Sequence, residues 1–330
     1  MLKDKTLAQK RKLTVLALGL VLLLVFPFLV NNYALQVAVY CGIYILLAVS
    51  LNLLVGYTGI FSMGHVAFYC LGAYTSALLA TKLHLPFVLC FLSGGVVAGI
   101  AGALIGIATL RLNDLFLTFT TMGLGEVIRI IIQNAAFTNG ALGVTGIPMP
   151  RMFGRAMNRT EFYYMVLILV IACVFIVHRL VRSNTGRTLM TIRDDASAAA
   201  SLGINVFSYK MRIMILSCFI AGLAGSLYAT FVQYINASNF SINVSINIIA
   251  MVTIGGMGTI AGPILGATLL QILPEAIRFL QDYRQLMFGA ALVISVMFAP
   301  KGLIGMNWQK LGPVKKLIGW FNAEPAKKED

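Results

Sequence analysis

Apolar residues in this chain gather into long runs separated by short polar or glycine-rich stretches. Runs near the roughly 20 residues that a helix needs to cross hydrocarbon cover 13–30, 35–55, 61–80, 87–110, 115–133, 162–180 and 213–234. A further stretch, 246–280, is interrupted by a glycine cluster, so that 246–254 and 264–280 form a hairpin, and 286–299 completes the series. The pattern predicts an all-α polytopic membrane helix bundle of nine or ten crossings with glycine-broken helices. The first run follows Lys3, Lys5, Lys10, Arg11 and Lys12. It is longer than a signal-peptide core of about 7–15 residues and lacks a small-x-small cleavage site, so it reads as a retained span. The only sizeable external loop, 137–161, carries Gly140, Gly143, Gly146, Pro148 and Pro150. That is turn chemistry rather than a further soluble domain.

Composition agrees with this reading. Of the 330 residues 59% are apolar and 11% charged, against about 45–50% and about 25% in soluble proteins. The outer solvent of most residues is therefore lipid. The net charge of +14 would raise nucleic acid as a partner, but the basic residues sit between apolar runs or at the termini, without interleaved aromatics, and no nucleic-acid binding is expected. With alternating crossings from a cytosolic N-terminus, the loops assigned inside hold 18 of the 25 Lys and Arg residues. The external segments hold six, namely Lys82, Arg151, Arg155, Arg159, Arg278 and Arg284, and Arg129 lies within a span. This bias places both termini in the cytosol. The organisation expected is a cytosolic segment 1–12, a transmembrane domain 13–300 with a cytosolic loop 183–210, and a cytosolic tail 301–330. In that tail Trp308 and Trp320 fit interfacial anchors, and Lys315, Lys316, Lys327 and Lys328 read as solvated, with contact to membrane lipid as the alternative.

Catalytic and metal chemistry find no support. Cys41, Cys70, Cys90, Cys173 and Cys218 all lie in apolar runs without zinc spacing, and His65, His84 and His178 form no metal or haem pattern. There is no G-x-x-x-x-G-K-[ST] loop and no Gly-Lys dipeptide, so the chain carries no ATP site of that kind.

Two glycine clusters interrupt apolar segments. One runs Gly56-Tyr57-Thr58-Gly59-Ile60-Phe61-Ser62-Met63-Gly64-His65; the other includes Gly255, Gly256, Gly258, Gly262 and Pro263. Each is followed by a Gly-Ala pair, Gly72-Ala73 and Gly266-Ala267. Irregular backbone at membrane depth survives where protein or a watery cavity satisfies it, and broken helices mark the pathway in transporters. The competing reading is that the glycines only allow close helix contact. Ser62 and His65 favour the pathway for the first cluster, as a polar pair facing the bundle interior. Gly56, Tyr57, Gly59, Ser62, Gly64, His65, Gly255, Gly256 and Gly258 are the candidate pathway residues. Two intramembrane ion pairs are expected at i, i+3 spacing, Glu126 with Arg129 and Glu275 with Arg278; a partner one turn away makes structural pairing a sufficient account of each.

The loop 180–211 is the most informative polar stretch. Asp194 and Asp195 supply N-cap and first-turn acids, 196–202 forms a short helix of small residues, and Gly203 suits a left-handed stop. About seven residues are too few for an isolated helix. A small-faced helix flanked by Arg187 and Arg193 is suited to a groove of another protein.

The run Ser197-Ala198-Ala199-x-x-x-Gly203 resembles the E-A-A-x-x-x-G loop by which permeases of ABC importers dock on their ATPases, with Ser197 in place of the glutamate. The longer string from Gly186 to Asn205 resembles one branch, the branched-chain amino acid permeases of the LivM type. The resemblance extends through 51–74, 140–148, 254–267 and 298–305 in the family's order; 111–116 matches the family's R-G-x-Y-F stretch only loosely. It implies an ABC importer permease fold in the bacterial inner membrane. It further implies a heterodimer with a second, LivH-type permease, two cytosolic ATPases of the LivG and LivF type that bind ATP and Mg, and a periplasmic amino-acid-binding protein. This chain itself would hold no cofactor. Gly186, Arg187, Arg193, Asp194, Asp195, Ala198, Ala199, Gly203 and Asn205 become the ATPase-coupling residues. Leucine, isoleucine and valine are the implied substrates, with urea or short amides as an alternative within the family. An ion-coupled secondary transporter is the alternative of another class, and it would need a chain of intramembrane acids or a carbonyl-lined ion site.

Overall fold

The computed structural model of the chain describes residues 22–112, 114–152, 155–276, 284–298 and 302–305. Half of the first predicted span, Arg278, and the tail with Trp308, Trp320 and its lysine pairs lie outside the described residues.

The apolar runs fold into helices whose bounds match the sequence pattern closely. They are α1 (Asn32–Thr58), α2 (His65–Lys82), α3 (Phe87–Thr109), α4 (Asp114–Asn134), α5 (Arg159–Arg182), α6 (Asn184–Asp194), α7 (Ala196–Ser201), α8 (Val206–Val232), α9 (Ile242–Gly255), α10 (Ala261–Ala276), α11 (Arg284–Phe298) and the short α12 (Gly302–Gly305). Residues 22–29 are helical as well. Six helices among the described residues are long and apolar enough to cross a membrane: α1, α3, α4, α5, α8, and 237–255, which includes α9. The protein is a multi-pass helical membrane protein.

Packing turns on α8, which lies against α1, α2 and α3. Small residues let these helices approach backbone to backbone. A Cβ on Gly72 would fall 2.2 Å from the Gly222 carbonyl oxygen, and one on Gly225 would fall 2.1 Å from that of Tyr69. In lipid, where no hydrophobic force drives helix association, such contacts let dispersion and packing act over the full helix length. The Gly72-Ala73 pair therefore serves helix contact.

The two ends of the bundle differ. At one end Val144 and Thr145 pair antiparallel with Ile235 and Tyr234. Below this ribbon the rings of Tyr69, Tyr228 and Phe240 meet, with Tyr69 5.1 Å from Phe240 and 5.5 Å from Tyr228. The 137–158 loop here contains two 3-10 turns and two-residue strands, in keeping with its glycines and prolines. At the opposite end sit α6 and α7. Local sequence predicts one helix in this polar stretch; the structure has two, because 184–194 is also helical. That helix buries Gly186, Leu189 and Ile192, spaced at i, i+3 and i+6. Gly186 is required by proximity, since a Cβ there would lie 2.0 Å from the Val181 carbonyl oxygen.

A second departure concerns the span predicted over 61–80. Residues 59–64 are not helical, and α2 begins at His65. His65 Nε2 lies 2.8 Å from Ser50 Oγ, eight residues back along α1, which at 1.5 Å per residue is about 12 Å from the end of that helix. The chain leaves α1 and runs back alongside it in non-helical form before it coils again.

Candidate functional site

The two glycine clusters and the α6–α7 segment, far apart in sequence, meet at one point. Helix α1 ends at Thr58, with Gly59 at φ +74° in the left-handed region, a stop that glycine takes without steric cost. The carbonyl of Gly56 belongs to the last turn, where no intrahelical donor remains. Arg193, in the last turn of α6, supplies one through Nη1. A cation at a helix C-terminus is also favoured by the helix dipole.

Asn52, one turn before Gly56 and 2% exposed, clasps the second cluster with both ends of its amide. Its Oδ1 accepts from the Gly258 N–H at 2.9 Å, and its Nδ2 donates to the Thr259 carbonyl at 2.8 Å. The fit leaves no room for side chains. A Cβ on Gly56 would lie 2.5 Å from the Gly258 nitrogen, and one on Gly258 would lie 2.7 Å from Arg193 Nη1.

The second cluster closes a hairpin. Helix α9 ends at Gly255, 256–260 turns, and α10 starts at Ala261. The Thr259 hydroxyl donates to the Gly256 carbonyl at 2.8 Å and accepts from the Gly262 N–H at 3.1 Å. A Cβ on Gly255 would sit 1.9 Å from the Gly262 carbonyl oxygen, and one on Gly266 equally close to that of Met251. Gly302 of α12 closes the far side, since a Cβ there would fall 2.2 Å from Gly256 Cα. Of the five stretches singled out in the sequence, four contribute backbone or side chains to this junction: 51–74, 186–205, 254–267 and 298–305. The fifth, 140–148, lies at the ribbon end, where Gly143 packs on Ile235.

The remaining coupling residues shape the segment around Arg193. Asp195 caps α7 by accepting from the Ser197 and Ala198 amides at 2.8 and 3.0 Å. Asp194 is the exposed last residue of α6, and Arg187 is exposed too. Ala199 is buried beneath α7 while Ala198 faces outward, next to Leu202, which is 75% exposed. Gly203 comes next in the left-handed region at φ +81° with open space around it. Asn205 caps α8, its Oδ1 accepting from the Ser208 amide at 3.0 Å. The result is a short capped helix with a small exposed face, rigidly tied to α8 on one side and to α6 on the other.

The pathway candidates divide. Gly56, Tyr57, Gly59, Gly255, Gly256 and Gly258 lie at or beside the junction. Ser62, Gly64 and His65 lie deeper, on the non-helical segment and the start of α2. Ser62 and His65 do face the bundle interior, being 1% and 0% exposed. Ser50 Oγ donates to the Leu47 carbonyl at 2.8 Å, so it accepts from His65 Nε2–H. Ser62 Oγ and His65 Nδ1 have no hydrogen-bond partner among the described residues. The backbone here leans on α4 and α9: Thr118 Oγ1 donates to the Phe61 carbonyl at 3.0 Å, Ser245 Oγ accepts from the Val66 amide at 3.2 Å, and a Cβ on Gly64 would meet the Thr121 carbonyl oxygen at 2.0 Å.

The predicted Glu126–Arg129 pair is present on α4. For Glu275, the described partner is the Tyr33 hydroxyl, which donates to its Oε2; the predicted partner Arg278 lies outside the described residues. Sequence reasoning missed Asn52, Thr259 and Gly302. Asn52 carried a legible signal, as an amide in an otherwise apolar run, but its partner is 206 residues away.

The high-affinity branched-chain amino acid transport system permease protein LivM of Escherichia coli (strain K12) is 34% identical over 327 residues, covering 92% of this chain and 77% of that protein. The protein of the same description from Salmonella typhimurium matches to the same extent. A probable branched-chain amino acid transport permease protein LivH of Methanocaldococcus jannaschii is 23% identical over 83% of this chain and 92% of its own length. No solved structure matches the chain significantly. Residues 33–296, from the start of α1 into α11, match the family described as branched-chain amino acid transport system / permease component, and the chain belongs to that family.

Proposed function

We propose that this chain is a translocating subunit of an ATP-driven importer of leucine, isoleucine and valine, paired with a second homologous permease. In this reading two cytosolic ATPases bind ATP and Mg, and a periplasmic binding protein delivers the amino acid. Both termini and the α6–α7 end face the cytosol, which agrees with the distribution of basic residues. The observation that carries the proposal is the hydrogen bond from Arg193 to the Gly56 carbonyl at the end of α1, beside the glycine hairpin of α9 and α10. An ATPase seated on α7 displaces a helix only six residues long that is joined to α6 at Asp195 and to α8 by residues 202–205. Movement of α6 withdraws or drives Arg193 at the point where α1 and the α9–α10 hairpin are held together. Closing of the ATPases thus reaches α1 and the α9–α10 hairpin at the point where Arg193 meets them, as alternating access requires. Asp194, Asp195, Ala198 and the exposed Leu202 form the docking face, with Ala199 buried beneath it. The substrate class rests on the names of the relatives.

The test is uptake of labelled leucine in cells lacking the chain and in cells given it back, with unlabelled valine and urea as competitors. The expected result is loss and recovery of leucine uptake, with competition by valine alone. Unchanged leucine uptake with lost urea uptake would replace the substrate and keep the family.

A further inference from the structure

The Glu126–Arg129 pair has no part in the junction. Glu126 lies on α4 twelve residues from one end and eight from the other, and Arg129 fifteen and five, so about 18 and about 12 Å for Glu126 and about 22 and about 8 Å for Arg129 along the helix, which puts Glu126 near the middle of the span and Arg129 one turn nearer its end. Much of α4 is an apolar surface, with Leu115, Phe116, Phe119, Ile130 and Ile131 exposed. The pair belongs to an adjoining stripe with Met122, Gly123 and Gln133. This stripe faces a cleft of about 440 Å³, whose other wall is Ser238, Ser241 and Ile242. Charges at this depth face a watery cavity or protein rather than lipid. The size lies in the range of small-molecule sites, about 300–1,000 Å³.

The bonding leaves capacity on both charges. Arg129 gives Nε and Nη2 to Glu126 Oε1, and Nη1 to Gln133 Oε1 at 2.9 Å. A guanidinium has five N–H donors, so two remain. Glu126 Oε2 has no bond among the described residues, and its side chain is 42% exposed. A Cβ on Gly123 would meet nothing within 4 Å, which keeps the cleft open beside the pair. Ser241, the residue before α9, makes no capping bond with its hydroxyl, and α9 points its N-terminal, positive end at the cleft.

This arrangement selects for one kind of ligand. A lone cation or anion would pull one partner from the pair and leave the other uncompensated in a low-dielectric setting. A dipolar ion bearing both charges engages each partner and leaves no net charge. Resting on the function proposed above, we infer that this cleft holds the head group of the transported α-amino acid. Arg129 and the start of α9 take the carboxylate, Glu126 takes the ammonium, and Met122 and Ile242 meet the aliphatic side chain.

The test is uptake of labelled leucine by the whole transporter in proteoliposomes, with the chain carrying Glu126→Gln, Arg129→Gln, or the exchange Glu126→Arg with Arg129→Glu. The amount of assembled complex is measured for each. Glu126→Gln is isosteric on a half-exposed side chain and decides the matter if Arg129→Gln fails to assemble. The expected result is a maximal rate per assembled complex about ten- to hundredfold lower for each single variant, the loss of one charge-assisted hydrogen bond. The exchange, which keeps an ion pair at i, i+3, is expected not to restore it. Full uptake by Glu126→Gln, or restoration by the exchange, would overturn the inference and leave the function standing. A wild-type complex that moves urea and not leucine would overturn both.

Discussion

The two glycine clusters look alike in sequence, each ending an apolar run and leading into a helix with a Gly-Ala pair, yet they fold differently. At 255–262 the chain reverses at once, and α9 and α10 press together through Gly255, Gly262 and Gly266. At 59–64 it travels back along α1 in non-helical form until His65 reaches Ser50. The difference lies in what is available to satisfy the backbone. The hairpin is self-sufficient, with Thr259 bonding to Gly256 and Gly262. The non-helical segment borrows Thr118 from α4, and the first turn of α2 that follows it borrows Ser245 from α9. A glycine cluster thus marks where a helix stops, and remote side chains decide whether the chain reverses at once or runs on in non-helical form. Asn52 and Arg193 then tie the two outcomes together at one end of the bundle.

The largest expected effect comes from cutting that tie. Arg193→Glu removes the donor to Gly56 and sets a carboxylate against the negative end of α1. Transport is expected to fall at least about a hundredfold while the protein remains in the membrane fraction, as shown by uptake beside immunoblotting of membranes. Next comes the hairpin alone. Gly255→Ala puts a methyl group into the Gly262 carbonyl, and overpacking of this kind costs about 1–3 kcal/mol. A lower thermal midpoint in detergent would show it; an unchanged one would mean that the helices can part there freely. Asn52→Ala tests the clasp between the clusters. It loses two hydrogen bonds and leaves the Gly258 amide without its acceptor, at about 1–3 kcal/mol. Asn52→Asp keeps that acceptor but sets a buried carboxylate oxygen against the Thr259 carbonyl, and is expected to lose at least as much. The smallest effect belongs to Ser62→Ala. Its hydroxyl is buried without a partner among the described residues, so removal is expected to leave the thermal midpoint unchanged or slightly higher; a clear fall would reveal a partner for that hydroxyl.

Much of the fold was legible because bilayer thickness and apolar runs set helix lengths together. Predicted and observed bounds of α3 and α4 differ by a residue, and the cap at Asp195 and the stop at Gly203 arise from local chemistry. Helix α6 was not legible. Its sequence, N-T-G-R-T-L-M-T-I-R-D, is polar and rich in threonine; what holds it is the burial of Leu189 and Ile192 against neighbours that local propensity does not see. The non-helical 61–64 was hidden for another reason, since hydropathy reports burial and is silent on backbone conformation. The candidate residues were legible as separate clusters. Their union was not, because Arg193 and Gly56 are 137 residues apart.

The non-helical segment also sets an order on biogenesis. Peptide groups of 60–64 cannot be left to hydrocarbon, where each unmet one costs several kcal/mol, yet Thr118 is synthesised 57 residues after Phe61, and Ser245 is synthesised 179 residues after Val66. Helix α2 therefore cannot be released into lipid as an independent unit when it leaves the ribosome. It is expected to wait in a wet or protein-lined place until α4, and finally α9, arrive to seal it, so that this one helix joins the bundle later than its place in the chain.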